Sequence, residues 1–191
     1  DINSFNVKSV SIRGEDRDDV DVQWEGENEE PVLRKKKRRE KLDENSVRAV
    51  REGLSYLRFS GVADPELSDH DLGMDEPVTF SALTKDGLIY AVKVGSANPS
   101  GDGNYIRVSA EISPDFDEIF VLNQSDEELD GNEEGSEDKQ ENGADQARAE
   151  AEKQISAFNE RFSSRTFIIP SYKAEVLSYD RDDMIAKDED E

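Results

Sequence analysis

The sequence has no cysteine, a single histidine and far too few basic residues to balance its acidic ones. Without cysteine the chain forms no disulfide, and it offers no thiolate for catalysis, for zinc or for an iron–sulfur cluster. One histidine excludes metal sites that need two imidazole ligands. The formal net charge of −23 disfavours nucleic acid and anionic lipid as main partners, because both are bound through a basic surface.

Long apolar runs are also missing, since no stretch reaches the roughly 20 apolar residues of a transmembrane helix. The chain begins at Asp1 without a signal-like segment, and we expect this to be a cut end from which a membrane anchor or signal was removed. Hydrophobic residues make up 34% of the 191 residues and charged residues 37%. This composition predicts one domain with a disordered insertion.

The first 41 residues predict a small antiparallel meander with a basic run after it. Apolar and polar residues alternate over 5–12, with a slip before Val10, and again over 20–24, which is typical of half-buried strands. A third short strand is predicted at 31–33.

A helix is predicted at 44–59, because Val47, Val50, Leu54 and Leu57 recur at helical spacing. Asp43 or Asn45 can cap its first turn, and Gly61 can end it in a left-handed conformation.

The clearest pattern lies between 77 and 112, where two alternating strands predict a hairpin around Asp86-Gly87. A two-residue loop would pair Leu83 with Tyr90. A three-residue loop with Gly87 left-handed pairs Phe80 with Val92 instead. We favour the second register because it places the apolar residues of both strands on one face. A third strand follows at 105–112, and the apolar run 119–122 predicts a fourth.

Ser125 to Asp145 holds ten acidic residues and one basic residue. A segment of this composition buries too little apolar surface to offset its ordering entropy, so we expect it to be mobile. A helix is predicted over 147–162 from the spacing of its apolar residues, then a buried strand at 166–169 and a short helix opened by Pro170.

These elements predict an α+β fold, an antiparallel sheet with helices packed on one face. The expected organisation is N-terminal strands with the basic run (1–41), a helix and antiparallel sheet core (42–123), an acidic disordered insertion (124–145), and a C-terminal helix, strand and short helix on the same core (146–191).

Four features resemble functional sites, and each has a simpler interpretation. His70 stands between Asp69 and Asp71 but has no second imidazole, so we expect a solvated loop residue. The glycine-rich loop 95–103 joins strand to strand and lacks the Gly-Lys-Ser/Thr of a phosphate-binding loop, which indicates a hairpin loop. Two acidic clusters could attract calcium weakly, although neither has the spacing of a calcium loop. They are Asp16, Asp18, Asp19 and Asp21, and Asp69, Asp71, Asp75 and Glu76.

The basic run most resembles a functional patch. It consists of Arg34, Lys35, Lys36, Lys37, Arg38, Arg39 and Lys41. It could bind phosphate, target a nucleus, or capture an anionic polymer or a lipid surface, or it could pair with the acidic insertion. It has no interleaved aromatic residues for stacking on bases. The sequence therefore singles out no catalytic, cofactor-binding or metal-ligating residue, and we expect no cofactor.

Several segments together resemble a bacterial family known as domain of unknown function 4340 (DUF4340). They are GMDEP at 73–77, PVTF at 77–80, KDG at 85–87, YAVKVG at 90–95, NYIRVS at 104–109, FIIPSYKA at 167–174 and RDDMI at 181–185. With the helix at 47–57, the resemblance covers most of residues 42–186. These motifs are turn residues and core spacing, which are specific as a set.

The resemblance implies an extracytoplasmic domain behind an N-terminal membrane helix, associated with ABC-type transporter components of the gliding-motility kind and without assigned catalytic residues. This chain departs from the pattern in its missing anchor, its basic run and its acidic insertion. We therefore expect a non-enzymatic interaction or scaffold domain, periplasmic or at the cell surface, with protein partners in a membrane transport or envelope complex. The alternative is a ligand-binding module or a carboxylate-based hydrolase.

Overall fold

The computed structural model describes residues 6–26, 28–101, 103–128 and 137–187. Within these residues the chain forms one eight-stranded antiparallel sheet and four α-helices, which confirms the predicted α+β fold. The strands are β1 (Val7–Arg13), β2 (Val20–Glu25), β3 (Glu30–Leu33), β4 (Gly61–Val62), β5 (Val78–Thr84), β6 (Leu88–Ala97), β7 (Asn104–Ile112) and β8 (Phe167–Ile169). The helices are α1 (Glu44–Arg51), α2 (Phe116–Glu128), α3 (Glu137–Phe162) and α4 (Ser171–Leu177), with a 3₁₀ turn at Asp182–Met184.

The strands lie in the order β3-β2-β1-β5-β6-β7-β8-β4. The predicted N-terminal meander is confirmed by β1, β2 and β3, and the slip before Val10 is a register shift between Val7 and Ser9. Such a bulge lets Val7, Val10 and Ile12 all reach the core. Both edge strands are blunted, β3 by Pro31 and β4 by its length of two residues.

The hairpin between β5 and β6 has the register predicted from a three-residue loop. Phe80 pairs with Val92 and Ala82 with Tyr90. Gly87 has a φ of +79°, and its amide donates a hydrogen bond of 3.1 Å to the carbonyl oxygen of Thr84. The left-handed glycine closes the turn and keeps the apolar side chains of both strands on one face.

The main core lies between one face of the sheet and the helices, as predicted. Phe80, Ile106, Ile169, Leu177 and Met184 are all fully buried there. Helices α1 and α4 supply Val47, Val50, Ala174 and Leu177 to this cluster, and the turn after α1 supplies Leu54. Phe158 and Phe162 of α3 pack against it. We call the opposite side of the sheet the outer face.

The helix predicted at 44–59 is shorter than expected. Asp43 caps it as predicted, its carboxylate accepting a 2.7 Å hydrogen bond from the amide of Ser46, but α1 ends at Arg51. The chain then turns through Gly53, where a Cβ would lie 3.0 Å from Cζ of Phe80, and Tyr56 adopts a positive φ of 56°. Leu54 is still buried, because the turns point it into the core.

Two short elements also differ from the sequence prediction. The apolar run 119–122 is not a strand but part of α2, which buries Phe116 and Ile119 one turn apart. A run of four apolar residues has no periodicity that separates a strand from a helix. Gly61 does not end a helix, because it lies in β4, where it pairs with Ile168 of β8.

The prediction of a disordered insertion over 124–145 needs correction at both ends. Residues 124–128 belong to α2, and residues 137–145 belong to α3. The central residues of the insertion, 129–136, lie outside the described residues. The helix predicted at 147–162 is confirmed as the C-terminal part of α3, and β8 and α4 confirm the predicted strand and short helix after it.

Candidate functional site

A cavity of about 320 Å³ opens between the core face of the sheet and the C-terminal part of α3. We call it the α3 cavity. Its lining comprises Leu54, Leu57, Phe59, Tyr90, Ala91, Val92, Val108, Ser109, Phe158, Arg161 and Phe162. The lining is predominantly apolar and contains no carboxylate. A concave apolar site of this size with few polar groups is typical of small-ligand pockets.

Aromatic side chains build one wall of the α3 cavity. Phe158 and Phe162 are one turn apart on α3, and their ring centroids are 4.9 Å apart. Phe59 stacks on Phe167 at 4.2 Å and lies 6.0 Å from Phe162. This wall consists of rigid, flat side chains, which offer large contact areas to an apolar ligand at low entropic cost.

Three polar side chains line the α3 cavity, those of Tyr90, Ser109 and Arg161. The ring of Tyr90 packs edge-on against Phe158 at 5.5 Å. Burial, and secondarily the charge of Asp86, raises the pKa of the Tyr90 hydroxyl. The guanidinium of Arg161 lies 5.1 Å from the centroid of the Phe162 ring. Across the described residues, neither the Tyr90 hydroxyl nor Arg161 has a hydrogen-bond or ion-pair partner, so both can serve a ligand.

A second concave site lies at the other end of the sheet, with a volume of about 380 Å³. We call it the cationic cleft. It is lined by Arg17, Asp18, Asp19, Lys35, Lys37 and Arg181. Two residues of the predicted basic run, Lys35 and Lys37, thus meet two arginines from opposite ends of the chain.

Residue Glu40 organises this part of the basic run. Its carboxylate accepts a 2.5 Å hydrogen bond from Nη2 of Arg181 and another of 2.7 Å from the amide of Lys37. The hydrogen bond from Arg181 is the main reason why the pKa of Glu40 is lowered, and the same contact raises the pKa of Arg181. Nζ of Lys36 donates to the carbonyl oxygen of Glu40 at 2.9 Å.

Several carboxylates of the acidic clusters predicted as weak cation sites make contacts within the protein. Asp19 and Asp21 pair with Arg13, at 3.5 and 2.5 Å. Asp69 pairs with Arg107 at 2.6 Å, and this contact holds the pKa of Asp69 below its ordinary value. The part of the chain that the structure describes contains no group of three or more candidate ligands able to hold a metal ion.

The structure places His70 in an exposed loop, with its side chain 90% exposed and Nδ1 3.1 Å from a carboxylate oxygen of Asp75.

The glycine-rich loop joins β6 to β7, as predicted. The amide of Asn98 donates a 2.7 Å hydrogen bond to the carbonyl oxygen of Gly103 across it. A Cβ on Gly103 would lie 1.9 Å from the carbonyl oxygen of Ile169, so that glycine permits close strand packing.

Sequence reasoning missed both concave sites. It assigned Leu57, Tyr90, Phe158 and Phe162 to the core, because an apolar stripe has the same spacing whether it faces a packed interior or a cavity. Arg17 and Arg181 carried no signal, since only folding brings them beside Lys35. No residue pattern in one sequence encodes either arrangement.

Comparison with known proteins adds no assignment. No model of a known protein family, no curated protein and no solved structure matches the chain. The resemblance to DUF4340 therefore stays a prediction. Every helix in the described ranges is too short or too polar to cross a lipid bilayer.

Proposed function

We propose that the chain is a non-enzymatic binding domain that holds a small, largely apolar ligand in the α3 cavity. The observation that carries this proposal is the pairing of an aromatic-walled cavity with an unpartnered Tyr90 hydroxyl inside it. Tyr90 is half-buried, so its hydroxyl exchanges a solvent contact for a hydrogen bond to a ligand that carries an acceptor atom. Arg161 adds a positive charge to the same lining and favours a ligand with an anionic end.

The cavity does not favour the alternative of a carboxylate-based hydrolase. Such chemistry needs two carboxyl groups that converge on one substrate position. The lining of the α3 cavity supplies a tyrosine, a serine and an arginine as its polar side chains. These groups can orient a ligand, and binding is the function that they support.

The probe for this site is 1-anilinonaphthalene-8-sulfonate, a fluorescent aromatic sulfonate whose emission rises in an apolar environment. We expect one binding site per chain, with octanoate as a competitor. Leu57→Trp fills the cavity and lowers the affinity for the probe at least tenfold. Tyr90→Phe lowers the affinity for octanoate about fivefold, which corresponds to one hydrogen bond of about 1 kcal/mol.

Two controls separate cavity binding from loose binding to an unfolded chain. Tyr172→Phe removes the hydroxyl of a tyrosine that is 65% exposed, and it leaves the affinity unchanged. Circular dichroism and the unfolding midpoint of Leu57→Trp report whether that variant is folded. Equal probe binding by wild type and a folded Leu57→Trp would refute the proposal.

A second proposed role is that of an extracytoplasmic accessory or scaffold domain in a membrane transport or envelope complex. Its support is the resemblance to DUF4340, together with the outer face of β1, β5 and β6. Over β7 and β8 that face is covered, because Ala63, Leu72 and Met74 pack with Tyr105 and Ile168. Ser11 pairs with Ser81, and Thr79 pairs with Lys93, across the three adjacent strands β1, β5 and β6. These four residues are half-buried or exposed, and the described helices pack on the other side. Three strands span roughly 10 Å, which leaves a polar surface for a protein partner.

The absence of cysteine makes this role testable by site-specific cross-linking. A photoreactive group on Ser81→Cys reports contacts of the outer face, and the same group on Gln154→Cys reports contacts of an exposed position on α3. We expect Ser81→Cys alone to capture a component of a membrane transport complex from native membranes. Capture of the same proteins from both positions, or of none, would count against the role.

A further inference from the structure

We propose that the cationic cleft binds a phosphate group. The site is separate from the α3 cavity, and the inference does not depend on the ligand proposed there. Arg17 lies between β1 and β2, Lys35 and Lys37 follow β3, and Arg181 follows α4. Three segments far apart in the chain thus bring four cationic side chains to one concavity of about 380 Å³.

This convergence stands out against the charge of the chain. The sequence has 47 acidic and 24 basic residues, so cations should on average be outnumbered at any surface position. In the cleft, four cationic residues face two carboxylates, Asp18 and Asp19. Asp19 is already 3.5 Å from Arg13. Glu40 contacts both Arg181, at 2.5 Å, and Lys37, at 3.9 Å. With Glu40 included, four cationic side chains face three carboxylates, Asp18, Asp19 and Glu40, so one positive charge remains in excess.

Hydrogen bonds hold both arginines in place before any ligand arrives. Nη2 of Arg17 donates to the carbonyl oxygen of Ser178 at 2.6 Å. Nη2 of Arg181 donates to Glu40 at 2.5 Å and to the carbonyl oxygen of Lys35 at 3.3 Å. Guanidinium groups fixed in this way lose little side-chain entropy on binding, which favours planar recognition of phosphate oxygens.

One donor at this site has no acceptor. Nε of Arg17 is buried, and it has no hydrogen-bond partner in the described part of the chain. Buried donors are nearly always satisfied, and each exception costs about 1–3 kcal/mol. Because Nε is closed off from solvent, a phosphate in the cleft meets Arg17 through the part of its side chain that lines the concavity. Lys35 and Lys37 add positive charge to the same lining.

The phosphate could belong to a free ester or to a lipid headgroup, and the experiment distinguishes the two. Binding of inorganic phosphate and of glycerol 3-phosphate to the full chain is measured by calorimetry in chloride buffer. Sedimentation with phosphatidylglycerol vesicles tests the lipid source, and phosphatidylcholine vesicles serve as the reference. Binding of the free anions without sedimentation assigns a soluble ester. Sedimentation that depends on Lys35 and Lys37 assigns a headgroup.

The basic run offers a matched pair of variants with identical net charge. The double variant Lys35→Glu/Lys37→Glu reverses two charges in the cleft, and Arg38→Glu/Arg39→Glu reverses two exposed charges that do not line it. We expect the first to lower phosphate affinity at least tenfold and the second to change it less than twofold. Arg17→Lys keeps the charge but removes the guanidinium that Ser178 holds in place, and it lowers the affinity about fivefold.

Several results would overturn the assignment. An equal loss in both double variants means that the run acts as a diffuse positive patch, since long-range charge alone would explain it. Unchanged affinity in Lys35→Glu/Lys37→Glu, or no binding of any phosphate probe by wild type, contradicts the site outright. Unfolding midpoints within 2–4 °C of wild type, a shift of roughly 1 kcal/mol or less, show that each variant is folded.

Discussion

The side-chain amide of Asn159 satisfies both backbone hydrogen-bonding groups of Ala110. The amide of Ala110 donates to Oδ1 of Asn159 at 2.9 Å, and Nδ2 of Asn159 donates to the carbonyl oxygen of Ala110 at 2.8 Å. β8 pairs with β7 only over 104–106, so Ala110 lies on an edge that β8 does not reach. Asn159 of α3 takes the place of a neighbouring strand there and protects the edge.

Replacing Asn159 with leucine should therefore destabilise the protein by roughly 1–3 kcal/mol, because two partly buried backbone groups lose their partners. Urea unfolding measures the change, and hydrogen exchange at the Ala110 amide locates it. The control Gln154→Leu, at an exposed position on the same helix, should stay within about 0.5 kcal/mol. Undiminished protection of the Ala110 amide in Asn159→Leu would show that the pairing does not stabilise the edge.

Gly87→Ala tests the turn between β5 and β6. The substitution places a side chain at a φ of +79°, and its Cβ would lie 2.7 Å from Cδ2 of the buried Phe116. The backbone strain costs about 1–2 kcal/mol, and displacement of Phe116 adds about 1–3 kcal/mol. The total loss in the free energy of unfolding, from both effects, is measured by thermal or urea unfolding.

The matched control for this glycine is Gly101→Ala. Gly101 has nearly the same φ of +77°, but a Cβ there has nothing within 4 Å. It should show only the backbone cost of about 1–2 kcal/mol. If the two variants lose the same stability, contact with Phe116 contributes nothing.

The ion pairs of Glu29 with Lys85 and Arg51 should make a pH-dependent contribution to the stability of the folded state. The carboxylate of Glu29 accepts hydrogen bonds from Nζ of Lys85 and, at 2.6 Å, from Nη2 of Arg51. The bond from Lys85 first, and then the one from Arg51, lower the pKa of Glu29 below its ordinary value of 4.5. The folded state therefore favours the ionised form. The stabilisation is fully present above pH 4.5 and is lost as the pH falls through the lowered pKa.

We expect Glu29→Gln to cost about 1 kcal/mol at neutral pH, a modest value because the group is partly solvated. The difference from wild type should shrink towards zero as the pH falls through the lowered pKa of Glu29. Urea unfolding at a series of pH values measures it, with the exposed Glu160→Gln as control. A difference that is independent of pH would contradict the ion-pair explanation.

The burial of Tyr90 should make the stability of the protein depend on pH in the alkaline range. Burial raises the pKa of Tyr90, so the folded state favours the protonated hydroxyl. This contribution to stability is present below pH 10.0 and is lost as the pH rises through the raised pKa. Absorbance of tyrosinate should show a late-ionising component that Tyr90→Phe diminishes and Tyr172→Phe leaves in place. Burial also raises the pKa of Tyr179. Tyr179 therefore accounts for the late-ionising absorbance that persists in Tyr90→Phe.

The sheet was predictable because its information is local. Alternation of apolar residues assigns each strand to a face, and the position of Gly87 selects the register that pairs Phe80 with Val92. The same holds for α3 and α4, whose spacing, composition and preceding proline indicate helix without reference to any other element.

The errors arose where distant contacts overrule a local pattern. α1 ends early because Gly53 packs against Phe80 and Leu177, which lie far from it in the chain. The run 119–122 joins α2, whose Phe116 packs on Leu88 and Ala151. In both segments the apolar spacing fits more than one conformation, and tertiary packing selects between them.

Composition alone excluded disulfides, thiolate chemistry and multi-histidine metal sites, because each of them requires residue types that the sequence lacks. Periodicity determined the fold class, because helices and strands impose their own spacing on apolar residues. Both concave sites depended on folding. The aromatic wall beside Tyr90 and the meeting of Arg17 with Arg181 join segments from separate parts of the chain. Their geometry follows from how the helices pack on the sheet, which no local pattern encodes.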